Sequence, residues 1–137
     1  MVVVLIKPDG CARGIESKIV KRFKNRGFEI RRYREVELKD RLHLLGPHYI
    51  EHKGKPFYNQ LISYMSEGHV IAMEFASEYL ESKDEEIQIA RVLAGDILTP
   101  GSIRGDYAQN LIRNTVHVSD SVEAASRERA IWFPGEF

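Results

Sequence analysis

The sequence has little that ties it to a secreted, membrane-spanning or nucleic-acid-coating protein. Cys11 is its only cysteine, so no disulfide can form within the chain and nothing points to an oxidising compartment. Lysine and arginine number 20, as do aspartate and glutamate, so no basic excess would gather nucleic acid. No apolar run reaches the roughly 18 residues that cross a bilayer. We therefore expect no nucleic acid and no membrane as partners, and a cytoplasmic location.

Two familiar catalytic motifs are also missing. The sequence has no P-loop, the glycine-rich loop with a lysine that cradles ATP. His48 and His52 are spaced so that both could lie on one helix face, as zinc ligands do in some peptidases. That pattern requires a glutamate directly after the first histidine, and Tyr49 stands there instead. The sequence therefore disfavours both a P-loop kinase and a zinc peptidase.

The apolar and turn-forming residues that are present predict one α+β domain over residues 1–137. Strands are predicted over 2–6, 28–38, 70–75 and 115–119, with a bulge near Arg31 in the second. Helices are predicted from 15, in pieces between 40 and 66 broken at Gly46, over 82–95, and from about 120. Residues 7–14 and 99–106 are predicted as loops. This order favours a ferredoxin-like βαββαβ sandwich, in which helices pack on one face of a four-stranded antiparallel sheet.

The densest polar cluster surrounds a histidine on the last predicted strand. His117 alternates with Val116 and Val118, so its ring points away from the two valines, and a neutral imidazole is a good nucleophile. Glu128 shares a helix face with apolar residues, where a buried carboxylate must find a donor such as the His117 ring N–H. That contact would orient the ring for attack. A purely structural histidine and a solvent-facing Glu128 remain alternatives.

Two further clusters suit phosphate. The glycines of the 99–106 loop let a backbone approach a ligand closely, and Arg104 is a planar fork that matches phosphate oxygens. Arg91 could converge on the same place from the end of its helix. Lys7 ends the first strand, where a ligand contact is common. Taken alone, each of these residues is more often a solvated surface charge.

Together these clusters resemble the nucleoside diphosphate kinase family along essentially the whole chain. The residues that carry the resemblance occur in the family's order, and they are Lys7-Pro8-Asp9-Gly10, Arg104-Gly105-Asp106 and the segment from Asn114 through His117 to Ser119-Asp120. The resemblance implies a ping-pong transfer of the γ-phosphate of a nucleoside triphosphate to a nucleoside diphosphate through a phosphohistidine. It also implies broad base tolerance, Mg²⁺ bridging the substrate phosphates, and a homo-oligomer.

The resemblance also implies a role for each matching residue. His117 would be the nucleophile, with Glu128 and Ser119 supporting its ring and Lys7 assisting. The residues that would bind the nucleotide are Lys7, Tyr49, Phe57, Leu61, Arg91, Thr99, Arg104, Leu111 and Asn114. Among them Phe57, Leu61 and Leu111 would hold the base, and Asn114 and Lys7 would contact the ribose. Lys7 would also hold the phosphates, together with Tyr49, Arg91, Thr99 and Arg104. Asp120 would reach the metal through water.

The sequence departs from the family pattern at two places. Between Arg91 and Arg104 it is about four residues shorter than is usual, so the family's phosphate-contacting threonine matches either Ile97 or Thr99, and the chemistry favours Thr99. Val118 stands where a glycine usually follows the histidine, and a β-branched residue narrows the backbone freedom beside the nucleophile.

Two rival functions fit the same predicted fold. A ferredoxin-like RNA-binding module stacks bases on exposed strand aromatics, but the aromatic-rich strand motif is missing and the net charge is zero. A non-catalytic scaffold with this fold is the less economical alternative, because His117, Glu128, Lys7 and both arginines are all present.

Overall fold

In a computed structural model that describes residues 1–135, four antiparallel strands form one sheet in the order β2-β3-β1-β4. Their bounds are β1 Val2–Ile6, β2 Phe28–Glu37, β3 His69–Ser77 and β4 Val116–Val118. Every residue of β1 is buried, as its apolar sequence predicts for a central strand. β2, at the edge, alternates exposed residues with buried or half-buried ones, and its pairing shifts between Ile30 and Arg32, which confirms the predicted bulge.

Helices connect the strands and enclose the sheet. Within residues 1–135 the α-helices are α1 Pro8–Ala12, α2 Glu16–Lys24, α3 Leu45–His48, α4 Tyr58–Ser66, α5 Lys83–Ala94, α6 Ile103–Tyr107 and α7 Val122–Trp132. Short 3₁₀ turns cover Leu38–Asp40, Leu42–Leu44 and Ile50–His52. In this part of the chain no helix combines the length and apolar character that crossing a bilayer requires.

The sheet is covered on both faces, so the predicted one-sided packing is wrong. Val2, Val4 and Ile6 pack into one apolar cluster with residues of α2 and α5. Val3 and Leu5 point the other way, into a second cluster with residues of α3, α4 and α7. Successive side chains of a strand face opposite sides, so a strand that is apolar throughout requires a cover on each.

Local structure differs from the prediction at three places. The predicted loop 7–14 contains α1, which begins at Pro8, a residue whose fixed φ and missing N–H suit the first helical position. The predicted loop 99–106 contains the start of α6, where the Ser102 hydroxyl accepts the Gly105 N–H at 3.0 Å. The break predicted at Gly46 lies inside α3, because Pro47 falls in the first turn, where no N–H bond is needed.

Two helices begin at a serine that caps their N-terminus. The Ser82 hydroxyl accepts the Glu85 N–H at 3.2 Å, which confirms the capped start of α5. α7 begins at Val122, slightly later than predicted, with Ser121 as its N-cap. Glu128 lies within α7 and is among its buried residues.

Candidate active site

A cavity of about 160 Å³ lies beside β4, between the sheet and the segment that precedes α4. It brings together eight residues predicted for the site, namely Lys7, Tyr49, Phe57, Leu61, Arg104, Leu111, Asn114 and His117. His52, Ile112 and Val116 also line it and were not predicted. Residues that are far apart in sequence therefore converge on one face of the imidazole.

The His117 ring is supported from behind by a buried carboxylate. Its Nε2 atom is buried and lies 3.1 Å from Glu128 Oε1, at ion-pair distance although off the direction of a regular hydrogen bond. Glu128 is itself buried, and the Ser119 hydroxyl donates to its Oε1 at 2.7 Å. The exposed part of the ring includes Nδ1, which has no hydrogen-bond partner among the described residues. One ring nitrogen is thus held and the other is free.

Ser119 links this carboxylate to the central strand. It is fully buried, and its Oγ accepts the Val3 N–H of β1 at 2.9 Å while it donates to Glu128. A hydroxyl has one proton to donate, and the closer contact to the carboxylate takes it. Glu128 is therefore fixed to the sheet that also positions His117.

His48 is a buried neighbour of His117 that was not predicted for the site. The two ring centroids lie 4.4 Å apart in an edge-to-face arrangement. The Trp132 indole N–H donates to His48 Nδ1 at 2.9 Å, and because an indole can only donate, Nδ1 must be the acceptor and Nε2 must bear the proton. Burial, with His117 nearby, lowers the pKa of His48 well below its ordinary value, so this ring is neutral. The only sign in the sequence that His48 belongs to the site was its position next to Tyr49.

The hydrogen bond to His48 argues against a metal behind His117. His48, His117 and Glu128 are a group of three in residues 1–135 whose ligand atoms lie within 4.8 Å of one another. A histidine nitrogen must be deprotonated to bind a metal. His48 Nε2 carries its proton because Trp132 occupies Nδ1, so this nitrogen is not available as a ligand.

Two cations face the cavity, and neither has a carboxylate partner among the described residues. Lys7 is buried, and its Nζ donates to Ile112 O at 3.1 Å and to Asn114 Oδ1 at 2.8 Å. The Arg104 guanidinium donates to the carbonyls of Val116, at 2.8 Å, and Gly95, at 3.1 Å. Burial, followed by the charge of Arg104, lowers the pKa of Lys7 to about 8. Both cations therefore line the cavity beside His117 without a direct ion pair among the described residues.

The remaining predicted polar residues lie around this cavity rather than in it. Arg91 lines a second cavity of about 210 Å³, which Arg104 also lines. Thr99 is exposed, donates its hydroxyl to Asp96 Oδ1 at 3.0 Å, and lines neither cavity. Asp120 is exposed just beyond Ser119 and is also outside the lining.

The outer end of the cavity is apolar and aromatic. Leu61 is buried, whereas Phe57 and Leu111 are exposed to 37% and 76%. The His52 ring lies 5.3 Å from that of Phe57, between the apolar end and the imidazole of His117. Burial, followed by the charge of Lys55, lowers the pKa of His52. This end of the cavity offers flat and apolar surfaces, and the inner end offers charge.

An oriented imidazole that shares a cavity with two cations outside any ion pair is suited to taking up an anionic group and passing it on. A phosphoryl group fits this chemistry, because its oxygens match lysine and arginine donors and its phosphorus accepts a nitrogen nucleophile. The geometry thus defines the class as a phosphotransferase that works through histidine.

Comparisons with known proteins identify the family. The family model described as nucleoside diphosphate kinase matches residues 1–137, and the chain belongs to this family. It is 42% identical to the nucleoside diphosphate kinase of Caldanaerobacter subterraneus subsp. tengcongensis, over 96% of this chain and 92% of that protein. It is 41% identical to the cytosolic enzyme of Dictyostelium discoideum, over 96% and 82%. A crystal form of the Aquifex aeolicus enzyme superimposes with a TM-score of 0.86 at 28% identity, covering 98% of this chain and 94% of that one.

These findings confirm the predicted family, fold class and activity. The chain is an enzyme that transfers the terminal phosphate of a nucleoside triphosphate to a nucleoside diphosphate, through a phosphohistidine in a ping-pong reaction. The four-stranded antiparallel sheet with helices has the same fold as the solved nucleoside diphosphate kinases.

Proposed function

We propose that His117 is the residue that carries the phosphoryl group. The observation that supports this most directly is the division of its ring, in a side chain that lines the cavity, with Nε2 against Glu128 and Nδ1 without a partner among the described residues. Nδ1 attacks the γ-phosphorus of a nucleoside triphosphate, a nitrogen–phosphorus bond forms, and the bond to the bridging oxygen breaks. The diphosphate leaves with that oxygen's electron pair. A second diphosphate then attacks the phosphorus, and His117 is regenerated.

Glu128 and Ser119 keep the nucleophile in one tautomer in this proposal. A carboxylate at 3.1 Å favours a proton on Nε2, which leaves the Nδ1 lone pair available for attack. As Nδ1 forms its new bond the ring gains positive charge, and the adjacent carboxylate stabilises it. The Ser119 hydroxyl, at 2.7 Å from Oε1, prevents Glu128 from turning away.

The phosphates bind to the cations that lack carboxylate partners. Lys7 and Arg104 lie at the cavity wall around His117, and Arg91 extends the same positive region beyond Arg104. Tyr49 lines the cavity, and its hydroxyl is buried without a partner, so it is a donor ready for a phosphate oxygen. For Thr99 to join them, its hydroxyl must leave Asp96. These groups stabilise the charge on the transferred phosphoryl group.

The nucleoside occupies the outer end of the cavity. The Asn114 amide oxygen accepts a hydrogen bond from Lys7 Nζ at 2.8 Å, and both side chains present polar atoms to a ribose. Phe57 stacks on the base, with Leu61 and Leu111 beside it. Stacking and apolar contact do not read the hydrogen-bonding edge of a base, so we expect broad base tolerance.

Mg²⁺ is the proposed cofactor, and Asp120 is the residue placed to reach it through water. The Asp120 carboxylate is exposed, and its charge acts on His52 in the cavity lining, so it lies close to the phosphate region. A carboxylate oxygen is the type of ligand that Mg²⁺ prefers. When bound, Mg²⁺ would neutralise part of the charge of the substrate phosphates. Isothermal titration of ADP with and without Mg²⁺, in wild type and Asp120→Asn, tests this assignment.

We further propose that residues 1–137 act as one domain in a cytoplasmic homo-oligomer, with no nucleic acid or membrane as partner. The edge strand β2 supports self-association, because one side of its backbone is unpaired in a single copy of the chain. Tyr33 on β2 and Val92 on α5 are exposed to 45% and 68%. Sedimentation analysis of the purified chain decides between an oligomer and a monomer.

Transfer of the γ-phosphate of ATP to a panel of diphosphates, deoxy forms included, tests the activity and its base tolerance. We expect similar rates for purine and pyrimidine acceptors. Phe57→Leu serves as a matched variant, because it keeps an apolar side chain but removes the stacking ring. Failure of the wild type to phosphorylate any acceptor would overturn the activity, and strong selectivity for one base would overturn the stacking assignment.

A further inference from the structure

A strained turn directly precedes the strand that carries His117. Thr115 is fully buried and has a φ of 77°, the only positive φ of a non-glycine residue in residues 1–135. The Val116 N–H donates to Asn114 O at 2.9 Å across it. A hydrogen bond between residues two apart, around a central φ near +75°, is the rare and strained form of the γ-turn. A β-branched residue disfavours this backbone especially.

The γ-turn changes which side chains face the cavity. In a regular strand Asn114 and Val116 would share one face and His117 would take the other. In this structure Val116 belongs to the core cluster on one side of the sheet while it also borders the cavity, and Asn114 and His117 both line that cavity. The reversal at Thr115 therefore brings the amide of Asn114 to the side of the nucleophile.

The turn is held by side chains from two other elements. The Thr115 hydroxyl donates to Asp9 Oδ2 at 2.9 Å, and the Tyr64 hydroxyl donates to the other oxygen of the same carboxylate. Tyr64 Oη in turn accepts the Asp9 N–H at 2.8 Å. The Lys7 N–H donates to Thr115 O at 2.8 Å, so the residue that joins β1 to α1 holds the backbone of the turn as well. Asp9 thereby joins α1, α4 and the turn.

A turn that served only to connect two segments would not need this arrangement. Glycine takes a positive φ without strain, whereas a threonine here requires compensation from its surroundings. Asp9 is buried, with no ion pair among the described residues, and burying a carboxylate is costly unless donors satisfy it. Gly10 packs so closely that an added Cβ would lie 3.2 Å from the Thr115 side chain. The fold thus maintains a strained residue and a buried charge at one point beside the nucleophile.

We propose that Asp9, Thr115 and Tyr64 form a positioning lock that sets Asn114 relative to His117 during nucleotide-dependent phosphoryl transfer. This inference rests on the assignment of His117 as the nucleophile. Asp9, Thr115 and Tyr64 do not touch the substrate; they act through the γ-turn. Without the tether the strained turn relaxes, and the ribose contact no longer lies at the correct distance from the attacking nitrogen.

Thr115→Val is the variant that tests the lock, because it keeps the shape of the side chain and removes the donor to Asp9. Two phosphoryl donors are compared: ATP, which needs both Asn114 and His117, and phosphoramidate, which needs only the imidazole. In the second reaction the nitrogen–phosphorus bond of the donor breaks, ammonia leaves, and the same bond to Nδ1 forms. We expect His117 phosphorylation by ATP to slow about tenfold or more and phosphorylation by phosphoramidate to change less than about twofold.

Matched variants separate the lock from general destabilisation. Thr115→Ser keeps the hydroxyl and should restore the rate with ATP. Ser82→Ala removes a capping hydroxyl from α5, far from the cavity, and should lower stability without changing the ratio of the two rates. If Thr115→Val does not fold, Tyr64→Phe removes the other donor to Asp9 and takes its place.

The outcomes distinguish this inference from the assignment on which it rests. If the wild type gains no phosphate from ATP, the assignment of His117 as the nucleophile is wrong, and the lock that rests on it is wrong as well. Wild-type activity combined with an unchanged ATP rate in Thr115→Val would overturn the lock alone. An equal loss with both donors would also overturn it, because that result describes a general disturbance of the imidazole. A phosphorylation rate that Thr115→Val lowers with ATP only, and that Thr115→Ser keeps at the wild-type value, supports the lock.

Discussion

Replacing Ser119 with alanine should destabilise the protein far more than an ordinary loss of a hydroxyl. The substitution leaves the buried Val3 N–H without its acceptor, which costs about 1–3 kcal/mol. It also removes the donor at 2.7 Å from Glu128 Oε1, a bond to a charged group whose contribution is about 1.5–3 kcal/mol. We expect the free energy of unfolding to fall by about 3–5 kcal/mol, a large share of the roughly 5–15 kcal/mol of a typical domain.

Thermal unfolding at one fixed protein concentration measures this loss. For a chain of this size the expected decrease in Tm is about 10–20 °C. Ser66→Ala is the matched control, because Ser66 is only half-buried and its hydroxyl donates to Ser63 O in an exposed hydrogen bond, so its loss should change stability by less than about 0.5 kcal/mol. A Tm of Ser119→Ala within about 2 °C of the control would refute the argument that Ser119 fixes Glu128 to β1.

Three further predictions follow from the same geometry. The pKa of Lys7 is about 8, and its charged form binds phosphate. The Kd for ADP should therefore rise roughly five- to tenfold between pH 7.5 and 9. A Kd that calorimetric titrations find unchanged over this pH range would contradict the prediction. Trp132→Phe leaves His48 Nδ1 without its donor, so chemical denaturation should show a loss of about 1–3 kcal/mol, and unchanged stability speaks against the assigned tautomer. Phe57→Ala should raise KM about tenfold or more for every diphosphate with little change in kcat, whereas an effect on one base alone would show a selective contact.

The sequence predicted the chemistry of the site better than its surroundings. Glu128 was expected to face the core because it shares a stripe with Ala124, Ala125, Ile131 and Trp132; it is buried with them, except that Ile131 is half-buried. The alternation of Val116, His117 and Val118 likewise predicted which way the ring points. Both inferences rest on the fixed periods of helix and strand, so they needed no knowledge of other elements.

The rest of the site depends on contacts between distant segments. His48 was weighed only as a metal ligand, because its partner Trp132 lies 84 residues away and no local period connects them. The γ-turn at Thr115 was predicted as regular strand, since threonine favours strands and its tether, Asp9, lies 106 residues away. Such features require the tertiary arrangement, in which packing overrides the local preference of a residue.

The chemical state of His117 after exposure to substrate tests the central claim most directly. The purified chain is incubated with γ-labelled ATP and Mg²⁺ without an acceptor, and the site of phosphorylation is located by mass spectrometry under alkaline conditions. We predict one acid-labile phosphate per chain, on His117, which disappears on addition of a nucleoside diphosphate and does not form in His117→Ala. Phosphate on another residue, or transfer to the diphosphate with no phosphorylated chain, would contradict the account.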